Sequence, residues 1–347
     1  MKSIFDCEWA ELAHSVSPSY RATQLFKSIY QRWLTSFEEM TDLPKSVRAG
    51  LAAEWDVRLP AVHRRFDSID GTRRYLVRLV DGEFAETVYL PEQHRNTICI
   101  SSQIGCALAC TFCLTGQLGL TRHLSAGEIM AQVLLAQRDN LPWEDRDRFN
   151  IVLMGMGEPL HNYDNVMKAV RILHDRNGLN MSMSRITLST AGLLPGIERL
   201  ATEPDIPNLA ISLTGATNAK RDELMPINRK YPIESLIEAV RQFPLKHRQR
   251  VTFEYVLLKG ITDSKEDARN LVRLLRGLPA KVNLIPFNEA EELDFKRPSD
   301  AAIEQFKFIL TEEHIDAFVR RNRGNDISAA CGQLKKKWVD SALAPVQ

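Results

Sequence analysis

From residue 96 onward, short apolar runs rich in branched side chains alternate with segments of helical period, and this alternation limits the fold more tightly than any other feature. The strand candidates are Thr97–Ser101, Ile151–Gly155, Arg185–Thr190, Asn208–Leu213, Val251–Leu258 and Lys281–Phe287. Ala317–Arg321 would add a seventh. Between them, SAGEIMAQVLLAQ opens with the capping pattern Ser125 to Glu128. YPIESLIEAVRQF carries Pro232 near its first turn, where proline is tolerated, and SKEDARNLVRLLRGLP runs to a Gly-Leu-Pro stop. Repeated β/α units of this length predict an α/β fold: a parallel sheet with helices outside, curved or closed as a barrel.

The first 70 residues read mainly as helix, with Leu25, Ile29 and Trp33 spaced as one apolar stripe. TRRYLVRLVDGEFAETVYLP then gives two β-rich runs around Asp81-Gly82, a hairpin signal. The expected division is a small helical domain over 1–70, a hairpin and linker over 71–95, the barrel over 96–335 and a tail over 336–347. The N-terminus has no apolar core of a signal peptide, and the charge-free stretch 96–121 is too polar to span a bilayer. A net charge of +1 gives no global drive toward nucleic acid or anionic membrane, although local basic patches remain. The expectation is a soluble, cytoplasmic protein with no membrane partner. In such a reducing compartment, cysteines serve metal binding or catalysis rather than structural disulfides.

Three of the six cysteines fall in GCALACTFCLTG: Cys106, Cys110 and Cys113, spaced C-x3-C-x2-C just after the first strand candidate. Three thiolates can hold three irons of a [4Fe–4S] cluster, leaving the fourth iron open to a small molecule. Zinc is the alternative, with His123 or His94 completing the ligands, but zinc ribbons more often pair two C-x2-C knuckles and the chain has no second pair. Unligated buried cysteines are the third option. Glycine-rich or polar clusters also follow the other strand candidates: GMGEP at 155–159, STAG from Ser189, SLTG from Ser212 and PFN ending at Asn288. In β/α barrels that rim carries the site, and so many clusters on one rim are poorly explained as turns alone.

C-x3-C-x2-C followed by Gly-Glu-Pro resembles the radical S-adenosylmethionine (SAM) superfamily, in which SAM occupies the open iron. Longer stretches narrow the resemblance to the RlmN/Cfr-like RNA adenine methyltransferases: CISSQIGCALACTFCLTG, GMGEPLHNYDNV, LMPINRKYPIESL, VNLIPFN and RGNDISAACGQL. YRATQLFKSIY and FEEMTDLPKSVR resemble that family's N-terminal domain. The resemblance implies a partial (β/α)6 TIM-like barrel, one [4Fe–4S] cluster held by Cys106, Cys110 and Cys113, and two SAM molecules per turnover. It implies that Gly157, Glu158, Ser189, Ser212, Leu213, Thr214 and Asn288 contact SAM. Thr214 departs from the His or Asn usual at its position, and its shorter hydroxyl puts that contact in question.

The implied chemistry is methylation of an adenine ring carbon, which is electron-poor and cannot itself attack a sulfonium. Cys331 matches the methyl-carrying cysteine: one SAM methylates its thiolate, and a radical from a second SAM activates that methyl group for addition to adenine. Cys99 matches the cysteine that resolves the resulting protein–RNA adduct, leaving a Cys99–Cys331 disulfide for an external reductant. Glu86 matches the carboxylate that accepts the ring proton. A one-electron reductant is needed as well. Cys7 has no motif context.

The implied substrate is carbon 2 of an adenine in 23S rRNA, with the tRNA adenosine 3′ of the anticodon as a second target. RNA would be gripped by local charge at Arg320, Arg321, Arg323 and Lys335–Lys337, and at Arg64, Arg65, Arg73 and Arg74 beside Phe66 and Tyr75, unless these runs are ordinary solvated faces. The target base would be flipped from its stack. Two rival functions are a carbon-8 methyltransferase conferring antibiotic resistance and a zinc-stabilised RNA-binding protein without catalysis.

Overall fold

The computed structural model describes residues 1–92, 96–142 and 149–334. Strand β1 (Lys2–Ser3) is followed by helices α1 (Trp9–Ser15), α2 (Tyr20–Phe26) and α3 (Lys45–Glu54), and then by β2 (Trp55–Asp56). β1 pairs in parallel with β2 and so ties the two ends of the helical segment together. Leu25 and Ile29 are buried as the stripe predicts, but Trp33 is not part of it. The helix widens into a π-turn over Lys27–Gln31, and Trp33 sits at φ 56°, a break that moves it to the edge of the core.

Helix ends at Glu54, short of the expected 70. Residues Ala61–Asp67 form β3, an edge strand pairing antiparallel with β4 (Arg73–Arg78), which pairs with β5 (Phe84–Leu90) across the expected turn. β5 pairs antiparallel with β6 (Asn96–Cys99), placing Val88 opposite Cys99. A ribbon absent from the sequence expectation follows, β7 (Gln103–Cys106) and β8 (Gly119–His123), with the short helix α4 (Leu114–Gln117) between them.

The remaining strands are β9 (Phe149–Leu153), β10 (Ile186–Thr190), β11 (Asn208–Ser212), β12 (Val251–Leu257), β13 (Ala280–Pro286) and β14 (Asp316–Val319). All six expected strands are present and the seventh joins them. They pair in parallel in chain order from β6 through β14, and the sheet stays open between β14 and β3, a partial barrel. The outer helices are α5 (Ala126–Asn140), α6 (Tyr163–His174), α7 (Leu194–Leu200), α8 (Asn218–Leu224), α9 (Ile233–Gln242), α10 (Lys265–Leu275) and α11 (Asp300–Glu312).

Local chemistry sets these boundaries. The Ser125 hydroxyl accepts from Glu128 N while the Glu128 carboxylate accepts from Ser125 N, a reciprocal cap that starts α5. Ser264 and Asp267 do the same for α10. Leu271 and Leu275 of α10 and Phe306 of α11 are almost fully buried; each such side chain contributes about 1.5–3 kcal/mol by leaving water. One continuous apolar core joins the N-terminal helices to the barrel. Glu8 and Glu11 of the first segment pair with Arg171 and Lys168 of α6, fixing how it sits on the barrel.

Candidate active site

The thiol loop hangs from the β7–β8 ribbon rather than directly from the first parallel strand. Gly105 has φ 75°, and a Cβ there would stand 1.9 Å from the Gly119 carbonyl oxygen, so only glycine lets the strands approach this closely. Cys106 closes β7, Cys110 follows Ala109 in a left-handed turn at φ 52°, and Cys113 leads into α4. Cys113 N donates to the Cys110 carbonyl at 3.2 Å, which fixes the loop. Burial pushes all three thiols up, Cys106 to about 12, so they are held protonated until a cation displaces their protons.

The three cysteines share one cavity with Gly157, Glu158, Ser189, Ser212, Thr214, Asn288 and Cys331. The rim at the C-terminal ends of the parallel strands therefore brings together residues that lie up to about two thirds of the chain apart in sequence, Cys106 and Cys331. Gly157, at φ 100°, leaves no room for a side chain: a Cβ would lie 2.5 Å from Gln103 Cβ, and Gln103 Oε1 accepts from Glu158 N at 2.7 Å. Glu158 is buried and its carboxylate accepts from Leu160 N at 3.1 Å and Ala191 N at 2.8 Å. Burial still outweighs those hydrogen bonds and lifts its pKa to about 7. Among the described residues, Thr214 Oγ1 and Asn288 Oδ1 are buried without a hydrogen-bond partner. Leu213 does not line the cavity: its side chain is fully buried, and its backbone N donates to Glu254 O at 2.9 Å.

A second cavity meets the first at Cys331. It is lined by Cys99, Val88, Leu90, Val152, Arg321 and Arg323 among others. Burial raises Cys99 to about 12; Cys331 is an exposed residue whose thiol is also raised by desolvation from its surroundings, with the Arg320 guanidinium pulling it back down and Glu254 opposing it. Arg320 lines both cavities and lies 3.8 Å from Glu254. The segment carrying Cys331 is strapped in place. Asp326 accepts from Ser68 Oγ at 2.6 Å and Ile69 N at 3.2 Å, Asp70 accepts from Gly324 N at 3.0 Å, and Asn288 Nδ2 donates to Cys331 O at 3.3 Å. On the far side Leu114 N donates to Gly332 O and Thr115 Oγ1 to Leu334 O, both at 2.8 Å.

Other expected residues lie elsewhere. Glu86 lines neither cavity; it is buried in an ion pair with Arg74 at 3.1 Å, two residues along β5 from Val88. Arg65 and Arg73 are held by Asp67 and Asp139, and the Tyr75 hydroxyl donates to Asp139 at 2.6 Å. This run is therefore largely neutralised by carboxylates, with Arg64 and Arg74 stacked on Phe66 at 4.7 and 4.3 Å. Arg320, grouped with Arg321 and Arg323 as an RNA contact, instead faces Glu254 and Cys331. His123 lines neither cavity; its Nδ1 lies 2.9 Å from Gln103 Nε2, away from any place as a zinc ligand beside the thiols. His94 and Lys335–Lys337 lie outside the described residues. Glu254, Met225 and Arg320 were not foreseen as lining residues; a lone carboxylate in the apolar run VTFEYVLL was the signal for Glu254.

The open parallel barrel with a thiol-lined rim defines a radical SAM enzyme, and residues 100–274 match the Radical SAM superfamily. Residues 13–57 match the ribosomal RNA large subunit methyltransferase N-terminal domain. The chain is 50% identical over 328 residues to the dual-specificity RNA methyltransferase RlmN of Pelobacter propionicus, covering 94% of this chain and 92% of that protein. It is 52% identical over 326 residues to the RlmN of Geobacter sulfurreducens, covering 94% and 88%. The crystal structure of a radical SAM methyltransferase from Sphaerobacter thermophilus superposes with a TM-score of 0.92 at 46% identity, covering 97% of this chain and all of that one. The chain belongs to the RlmN family of radical SAM RNA methyltransferases.

Membership brings a [4Fe–4S] cluster and SAM as cofactors, and the residues present fit both. Three soft sulfur donors open on one cavity, with no histidine among its lining. The unpartnered Thr214 hydroxyl and Asn288 carbonyl are ready to bond a polar ligand, and the buried Glu158 carboxylate suits an ammonium group. Among the described residues no helix is long and apolar enough to cross a membrane.

Proposed function

We propose that this chain methylates carbon 2 of adenine in 23S rRNA, and of the adenosine 3′ of the anticodon in tRNA, by way of a methyl group carried on Cys331. The observation that carries this is the place of Cys331 at the junction of two cavities, one lined by Cys106, Cys110 and Cys113, the other by Cys99, Arg321 and Arg323. A thiol there can receive from one side and deliver to the other.

When bound, the cluster supplies the electron that cleaves SAM; Cys106, Cys110 and Cys113 would hold it. Glu158, Gly157, Ser189, Ser212, Thr214 and Asn288 would hold SAM, with Leu213 acting through its backbone. Arg320 beside Cys331 favours the thiolate, the form that displaces methyl from a sulfonium. After transfer to adenine, Cys99 attacks the sulfur of Cys331. The base leaves and a Cys99–Cys331 disulfide remains, which an external dithiol reopens by taking up the oxidation. Glu86 would take the ring proton: it shares a face of β5 with Val88, which lines the second cavity, and would have to release Arg74 to do so.

The deciding experiment is anaerobic reconstitution with iron and sulfide, incubation with 23S rRNA and tRNA separately, and mass spectrometry of the released nucleosides. The expected product is 2-methyladenosine from both. Only 8-methyladenosine would overturn the proposed regiochemistry, and product from rRNA alone would remove the tRNA half.

A further inference from the structure

Arg221 on α8 is completely buried, and no carboxylate lies within hydrogen-bond reach of its guanidinium among the described residues. Nη1 donates to the carbonyls of Ser212 and Leu213, Nη2 donates to Ala191 O, and Nε has no partner. Nη1 also lies 3.3 Å from Met225 Sδ. Met225 lines the same cavity as the three thiols, so the guanidinium stands one side chain behind that wall. On the same helix, Leu224 O accepts from Thr111 N at 3.0 Å, holding the residue next to Cys110 against α8.

A lone cation in a protein interior is costly unless an anion compensates it, and backbone carbonyls offer only dipoles. Burial pushes Arg221 down to about 10, the direction expected of a guanidinium with no anion at hydrogen-bond distance. Arg74 shows the contrast: equally buried, it has Glu86 at 3.1 Å. Because Nη1 touches Met225, which lines the cavity of the three thiols, and Thr111 beside Cys110 is bonded to α8, the missing anion of Arg221 is to be sought on the thiol side of Met225. Thiolate ligation leaves an iron–sulfur cluster net negative, and each added electron deepens that charge.

Given that the three thiols hold the cluster, we propose that Arg221 is its built-in counter-charge, a positioning residue that stabilises the reduced cluster and raises its reduction potential. One electron passes from an external one-electron donor, which is oxidised by one equivalent; no bond or proton need move at that step. The cluster gains one negative charge, and the attraction of Arg221 grows with it. The same side chain ties the ends of β10 and β11, so charge and scaffolding must be separated in the test.

Wild type, Arg221→Lys and Arg221→Gln are reconstituted anaerobically, assayed for iron and sulfide, and titrated against dithionite with the reduced-cluster electron paramagnetic resonance signal as readout. Lysine keeps the charge but loses the fork; glutamine keeps amide donors but loses the charge. The expected result is a lower midpoint potential in Arg221→Gln and a potential near wild type in Arg221→Lys. Equal potentials in all three loaded proteins would overturn the proposal. Should Arg221→Gln fail to load while Arg221→Lys loads, charge is again the requirement; failure of both alike would mean that geometry alone matters and would also overturn it. A wild-type protein that takes up no iron or sulfide removes the thiolate reading itself, separately from the role of Arg221.

Discussion

In the antiparallel extension formed by β3–β5, charges find opposite charges: Arg74 lies 3.1 Å from Glu86, Arg65 3.1 Å from Asp139 and Arg73 3.2 Å from Asp67. At the rim of the parallel strands, Thr214 Oγ1, Asn288 Oδ1, Glu254 Oε2 and Arg221 Nε are buried with no hydrogen-bond partner among the described residues. A buried polar atom without a partner costs about 1–3 kcal/mol, so each of these is a place where stability has been given up. The extension pairs its charged side chains within the chain, whereas the rim turns several of its polar atoms toward a cavity that a ligand can fill. The same contrast separates Glu86 from the other expected catalytic residues, because Glu86 is ion-paired to Arg74 and lines neither cavity.

The largest test of this contrast removes a rim sulfur. Cys331→Ala, or Cys113→Ser, should abolish methylation while leaving the melting temperature close to the parent, since neither thiol is part of the packed core. Cys99→Ala should instead stall as a covalent RNA adduct, visible as a band of increased mass on a denaturing gel; normal turnover would remove its resolving role. In the extension the expected damage is to stability. Arg74→Met removes the ion pair of the buried Glu86 and should cost about 3–5 kcal/mol in urea unfolding. A cost below about 1 kcal/mol would mean that the pair is solvated and the contrast is drawn in the wrong place.

Glu158 gives the rim a pH signature. Its carboxyl titrates near 4.5 when free and about 7 in the fold, so the folded state holds the proton more tightly. That contribution is full below pH 4.5 and is lost as pH rises through 7, so the SAM-free protein should melt progressively lower across this window, and Glu158→Gln should flatten the decline. The ammonium of SAM favours the ionised carboxylate, so SAM should bind more tightly as pH rises over the same range. The smallest effect concerns Thr214. Thr214→Val should leave the SAM-free protein as stable as the parent, or slightly more so, because no hydrogen bond is lost, while weakening SAM about tenfold in calorimetry, or about 1.4 kcal/mol. Unchanged affinity would take Thr214 out of the SAM site.

What could be read from the chain and what could not divide along physical lines. The parallel strands are buried on both faces and appear as continuous apolar runs such as NLAIS, so they were legible without structure. Strand β3, AVHRRFD, is an exposed edge with charges on it and shows no such run, which is why the helical expectation reached too far. The β7–β8 ribbon depends on the approach of Gly105 to Gly119, a contact between backbones that leaves no side-chain pattern. Motif spacing and family resemblance brought thirteen site residues into view, of which ten share the rim cavity and an eleventh, Cys99, lines its neighbour; Leu213 and Glu86 stand outside both. The place of Arg320 was not legible, because a run of arginines does not show which member turns inward: Arg320 lies 3.8 Å from Glu254 and lines both cavities, while its neighbour Arg321 is exposed.

The strap that binds residues 324–326 to the turn at 68–72 joins parts of the chain separated by about 250 positions. On a translating ribosome, the barrel strands and the thiol loop emerge well before Cys331 does. A nascent chain could thus shape a cluster pocket before it owned a methyl carrier, and only the closing stretch, by docking on a turn made early in synthesis, would turn that pocket into a methyltransferase.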